Sequence, residues 1–132
     1  MVLEPRRHDR VGDRERGHAG PRRALHRAVS AIAGQTLGVP LALTNVGLRT
    51  WQPGVDNVAY HIYRDGALVT WDGARTPLPA AVPPGASVNV AASIAVPTAG
   101  GTYDVRIDLV QEGVAWYSSQ GVIPAGIALT AQ

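Results

Sequence analysis

From residue 36 onward the chain is built of short runs in which apolar and polar residues alternate with a period of two, the signature of half-buried β-strands. Leu37, Val39, Leu41 and Leu43 form one such row. Val58, Tyr60 and Ile62 form a second, and Val88, Val90, Ala92, Ile94 and Val96 a third. The clearest is Tyr103, Val105, Ile107 and Leu109, with Asp104, Arg106 and Asp108 on the opposite face. Shorter strands are expected at Ala67–Trp71, around Val114–Tyr117 and near Gly126–Thr130. Asn45-Val46-Gly47, Asp65-Gly66, Asp72-Gly73 and Glu112-Gly113 separate these runs as turns. Asp65-Gly66 joins two strands through two residues, the strongest hairpin signal in the chain. Pro77, Pro79, Pro83, Pro84 and Gly85 mark a long irregular crossing. Pro40 implies that its strand has a missing or bulged neighbour at that point. Residues 34–132 show neither a helical period nor a repeat.

About seven short strands over roughly 100 residues fit an all-β fold, an Ig-like antiparallel β-sandwich. Tyr103, just after Gly100-Gly101, sits where such a sandwich places a corner tyrosine whose hydroxyl bonds back to the preceding turn. Gly101 belongs to that corner, as Asp65 and Gly66 belong to the hairpin; these are structural positions.

Residues 1–33 read differently. They lack hydrophobic periodicity, and residues 1–27 hold eight Arg and three of the four His with four interleaved acids. A disordered, Arg-rich basic tail is expected. A short helix is allowed from Pro21 to Ala33, with Pro21 in its first turn and Gly34 as its stop. Ala31-Ile32-Ala33 has the small-residue form of a cleavage site, but His26 and Arg27 interrupt the apolar run, so no convincing signal peptide is read.

Composition narrows the chemistry. There is no Cys, so neither a disulfide nor a thiolate metal site can form. There is no Phe, so three Trp and four Tyr supply the aromatic volume. All the basic side chains are Arg; beyond residue 27 there are four, against six acids. The basic surplus therefore lies in the tail, and the sandwich carries no basic stripe for nucleic acid. No run is long and apolar enough for a membrane span.

The stretch Asn45-Val46-Gly47-Leu48-Arg49-Thr50-Trp51 resembles the Asn-any-Gly, Thr-Trp turn of bacterial Ig-like accessory domains, and more distantly that of the four-tryptophan Ig-like domain of autophagy receptors. Tyr60–Tyr63, Trp71–Pro79, Pro84-Gly85 and Asp108–Tyr117 look like the bacterial version. Such domains sit beside glycosyltransferase or other enzymatic domains in proteins of cell-surface polysaccharide metabolism. The resemblance spans about residues 36–122. It implies a noncatalytic module at the cell surface or envelope, partnered by polysaccharide or by a neighbouring domain.

For carbohydrate, the candidate residues are the rings of Trp51, Tyr63, Trp71, Trp116 and Tyr117, because the C–H face of a pyranose stacks on a flat aromatic ring. His61, Asp72, Arg75 and Gln111 are candidate polar neighbours. Each ring is also an ordinary core residue in a chain without Phe. A protein-contact or spacer role is the alternative, since sandwich edges can pair with another chain. His61 is expected to be exposed at mid-strand with a cross-strand partner. An enzyme would need a pocket gathering His61 with Asp72 or Glu112. No nucleophile elbow, phosphate loop or zinc-protease pattern is present, and no catalytic residue is assigned. Asp56-Asn57, Asp65 and Asp72 form no dense acidic loop, so neither a metal nor a cofactor is expected.

Overall fold

A computed structural model describes residues 2–5 and 27–132. The strands run β1 (Val2–Pro5), β2 (Arg27–Ala31), β3 (Thr36–Thr44), β4 (Asp56–Arg64), β5 (Ala67–Thr70), β6 (Thr76–Pro77), β7 (Ser87–Ala95), β8 (Gly101–Gln111), β9 (Ala115–Trp116) and β10 (Ala125–Ala131). A 3-10 turn, Tyr117–Gln120, follows β9. One sheet has the order β1-β3-β7. The other runs β2-β10-β8-β4-β5, with β6 on β4 and β9 on β8. Between them lies a single core built from the expected rows: Val39, Leu41, Leu43 and Ile94 on one sheet face Val58, Tyr60, Ile62, Val105, Ile107 and Leu109 on the other. This is an Ig-like β-sandwich, and each of the seven expected strands is present.

The N-terminal part corrects two expectations. Arg27–Ala31 is a strand, not the end of a helix, and it pairs in parallel with Ile127–Ala131. The second sheet is therefore mixed, and it takes in Arg27–Ala31, ahead of the expected boundary at Gly34. The physical reason is tertiary: alternate residues Val29 and Ala31 pack against the core, and β10 supplies the backbone partners. Gly34, at φ +83°, makes the turn into β3 in the left-handed conformation that glycine tolerates. Val2–Pro5 also pair, antiparallel with Leu41–Thr44, so the expected tail is not wholly without structure. Pro40 itself stays in regular register with Ala91 of β7, without a bulge. The remaining disorder expected of the tail falls on residues outside those described.

Local chemistry explains the turns. Asp65 and Gly66 both have positive φ, +53° and +80°, as a two-residue hairpin of matching twist requires. The Tyr103 hydroxyl donates to the Ala99 carbonyl at 2.6 Å and accepts from Arg64 Nη1 at 3.2 Å. Gly101 lies beneath that arginine: a Cβ there would come within 2.5 Å of Arg64 Nη2. Two backbone N–H groups on the outer edge of β7 are also taken up. Ser93 donates to Thr76 Oγ1 at 2.9 Å and Ala95 to the Tyr60 hydroxyl at 3.0 Å.

Candidate functional site

The strand register sorts the β4 and β8 side chains. Tyr60 opposes Ile107 and Ile62 opposes Val105 on the core side; Ala59 opposes Asp108, His61 opposes Arg106 and Tyr63 opposes Asp104 on the outer side. A solvent-facing row is expected there. Two segments fold over it instead. The turn Trp71-Asp72-Gly73 comes down on β4, with the Gly73 N–H donating to the Tyr60 carbonyl at 2.9 Å. A Cβ on Gly73 would meet the Tyr60 ring at 2.5 Å, so only glycine allows this approach. From the other side, β9 and the 3-10 turn cover the upper part of β8.

Beneath these covers His61 is only 2% exposed, correcting the expectation of an exposed histidine, and Asp108 is fully buried. His61 Nε2 and Asp108 Oδ2 are hydrogen-bonded at 3.0 Å. The other ring nitrogen, Nδ1, meets the Trp71 carbonyl. A carbonyl oxygen only accepts, so Nδ1 is the donor there. Asp108 Oδ1 accepts the N–H groups of Leu109 at 2.8 Å and Ser118 at 3.1 Å. The buried pair is thereby satisfied and ties β4, the Trp71 turn, β8 and the 3-10 turn together.

Three rings pack around it. Trp71 stacks on the His61 ring with centroids 3.9 Å apart and planes 23° off parallel. Trp116 is 4.3 Å from His61 and 5.7 Å from Trp71, at 62° to the latter. Arg75 lies over Trp116 at 5.2 Å and holds Glu112 through Nε at 2.7 Å and Nη2 at 3.3 Å. Its Nη1 donates to Asp72 Oδ1 and the Gly73 carbonyl. The hydrogen bonds from Arg75 and Asn57 hold the Glu112 carboxyl below the usual range, and the bond to Glu112 raises Arg75. Trp71 nonetheless remains 45% exposed. Beside it runs a groove of about 380 Å³ whose walls include Tyr63, Trp71, Arg106, Val122, Ile123 and Pro124. Arg106 covers Tyr63 at 4.1 Å and bonds Asp104 Oδ2 through Nε at 3.1 Å and Nη2 at 2.9 Å.

The candidates at the other end of the sandwich have a different fate. Trp51 is 2% exposed, bridged to Val82 by two backbone hydrogen bonds of 3.0 Å. It plugs the sandwich and has no face to offer a ligand. Asn45, fully buried, holds the preceding turn: Oδ1 accepts from Gly47 N at 3.0 Å, and Nδ2 donates to the Arg49 and Val82 carbonyls, each at 2.8 Å. The Tyr117 hydroxyl lies between Arg49 Nη2 at 2.6 Å and Asp56 Oδ1 at 2.8 Å, with its ring edge-on to Trp51. Burial and the bond to Asp56 push the Tyr117 hydroxyl up to about 12. Burial works to raise Asp56, but the hydrogen bonds from Arg49, Gln52 N–H and Tyr117 outweigh it and bring the carboxyl below its ordinary value.

The sandwich thus brings His61, Tyr63, Trp71, Asp72, Arg75 and Trp116 together on one face. It removes Trp51 and Tyr117 to a packed end, and Gln111 lines a separate hollow of about 240 Å³ there. Asp72 and Glu112 converge on Arg75, and both ring nitrogens of His61 are engaged. Among the described residues no three His, Asp or Glu side chains converge to hold a metal ion, and no helix is long and apolar enough to cross a membrane. Sequence reasoning missed the groove wall Val122–Pro124 and the partnership of Asp108 with His61. The wall has no alternation to mark it, while Asp108 stood in a polar row.

No family description matches the chain, and no curated protein matches it. Among solved structures, a family 123 glycoside hydrolase from Clostridium perfringens, studied for glycolipid glycan hydrolysis, is similar over 80% of this chain at 15% identity with a TM-score of 0.36. The chain spans about a fifth of that protein, 22%. A TM-score that low establishes neither a shared fold nor a shared activity.

Proposed function

We propose that this chain is a noncatalytic Ig-like accessory module, of the kind found in glycan-related bacterial proteins, that binds carbohydrate on its outer β4–β8 face. The observation that carries this reading is Trp71. Its ring is stacked on a buried, fully bonded histidine, stays partly open to solvent and borders a groove. A ring already fixed in place loses little freedom when a sugar face settles on it, so the site is preorganised. Tyr63 and Arg106 line the same groove and can meet hydroxyl groups, while Arg75 holds Asp72 and the Gly73 carbonyl of the Trp71 turn. Trp116 serves as packing behind Trp71, because the 62° between the two planes rules out a flat two-ring platform. The noncatalytic part rests on the same geometry: His61 has no ring nitrogen left to act as a base. The test is a titration of the full chain with bacterial polysaccharide fragments, followed by NMR of the Trp indole N–H signals. The expected result is a shift confined to Trp71 and its neighbours; a panel that moves no indole signal contradicts the reading.

A second reading has its own observation. Leu68 and Val69 are exposed on β5, an edge strand next to Trp71, whereas the β7 edge has two of its N–H groups occupied by side chains. An open apolar edge suits pairing with another protein strand. Under this reading Leu68→Lys abolishes partner capture, and the unmodified chain is silent in every sugar titration.

A further inference from the structure

We infer that the groove beside Trp71 selects an uncharged sugar residue carrying a methyl-bearing substituent, such as an N-acetyl group. The inference rests on the carbohydrate reading above and concerns which sugar that same site takes.

Charge comes first. The histidine and the arginine along the groove already have counterparts: His61 is hydrogen-bonded to Asp108, and Arg106 is held twice by Asp104 Oδ2. The charge of Arg106 is already countered by Asp104, so an acidic sugar meets no unpaired cation and must compete with Asp104 for the guanidinium. Asp104 depends on that cation, since its Oδ1 is buried with no hydrogen-bond partner. Because Asp104 already neutralises the guanidinium, an anionic ligand gains little net attraction here. A neutral ligand leaves the pair intact.

The wall comes second. Val122, Ile123 and Pro124 make a continuous apolar run in the same groove, and Ile123 is 79% exposed. An unsubstituted pyranose is rimmed by hydroxyls, which this wall would desolvate without offering partners. A methyl-bearing substituent instead buries apolar surface against it while the C–H face of the ring lies on Trp71. One methyl group in such a contact is worth about tenfold in affinity or more.

The test is calorimetry of the full chain with three disaccharides: N,N′-diacetylchitobiose, cellobiose and digalacturonic acid. The expected order is diacetylchitobiose at least tenfold tighter than cellobiose, with digalacturonic acid weakest. Ile123→Ser should bring diacetylchitobiose down to the level of cellobiose, while Leu48→Ser, at the far end of the sandwich, should change nothing. Digalacturonic acid binding as tightly as the acetylated sugar, or cellobiose matching it, overturns the inference and leaves the carbohydrate reading standing. Silence from all three, with no indole shift in the wider polysaccharide titration, overturns both.

Discussion

The Trp51 end and the Trp71 face use the same ingredients to opposite effect. Each surrounds a tryptophan with a buried carboxylate and a second aromatic ring: Asp56 and Tyr117 at one, Asp108 and Trp116 at the other. At the Trp51 end the carboxylate network lies outside the ring and seals it in, with Arg49 and Tyr117 closing over Asp56. At the Trp71 face the network lies beneath the ring and props it toward solvent. A buried polar network therefore marks neither core nor site by itself. Which side of the aromatic it occupies decides whether the ring stabilises the fold or meets a ligand.

The sharpest way to break the comparison is to remove each ring. Trp51→Ala empties a packed plug and should destabilise the domain by about 3–5 kcal/mol, measured by urea unfolding. Asp108→Ala leaves a buried histidine without its partner and should cost about 3 kcal/mol. In this variant Trp71 should also become more mobile, with a red-shifted emission that Trp51 substitutions lack. Trp71→Ala should cost only about 1 kcal/mol, since nearly half of the ring is already in water, yet it should abolish sugar binding. An unfolding cost for Trp71→Ala equal to that for Trp51→Ala would erase the distinction.

Titration gives a smaller effect that belongs mainly to the Trp51 end. Asp56 lies below its unfolded value, so its contribution is present above the ordinary carboxylate range and is lost as the pH falls through the folded value. Tyr117 is raised from 10.0 to about 12, so its contribution is intact below pH 10 and fades between pH 10 and 12. Tyr117→Phe should remove the alkaline loss and weaken the acid one, followed by thermal unfolding across pH. An unchanged alkaline limb would show that the hydroxyl is not held between Arg49 and Asp56.

The strands were readable because alternation in the sequence reports which side of a sheet faces the core; β3 and β7 keep it in their burial, while on β4 and the second half of β8 the outer side is covered as well. The Asp65-Gly66 hairpin and the Tyr103 corner were readable because each depends on local chemistry. Arg27–Ala31 was not, because its Ala-rich text suits a helix and its partner lies a hundred residues away at Ile127–Ala131. The site was only half readable. Trp51 and Trp71 both stand beside turns, and nothing near them in the chain says which will be buried. Asp108 continues a polar row that faces outward; what buries it is the descent of the Trp71 turn and the 3-10 turn, a matter of tertiary packing that Gly73 permits.

The most direct test of the account is acrylamide quenching of tryptophan fluorescence in the full chain, with and without N,N′-diacetylchitobiose, repeated on Trp71→Phe. The account predicts one readily quenched tryptophan that the sugar protects, and its disappearance in the variant. A quenchable fraction that the sugar leaves untouched, or that persists when Trp71 is replaced, would contradict it.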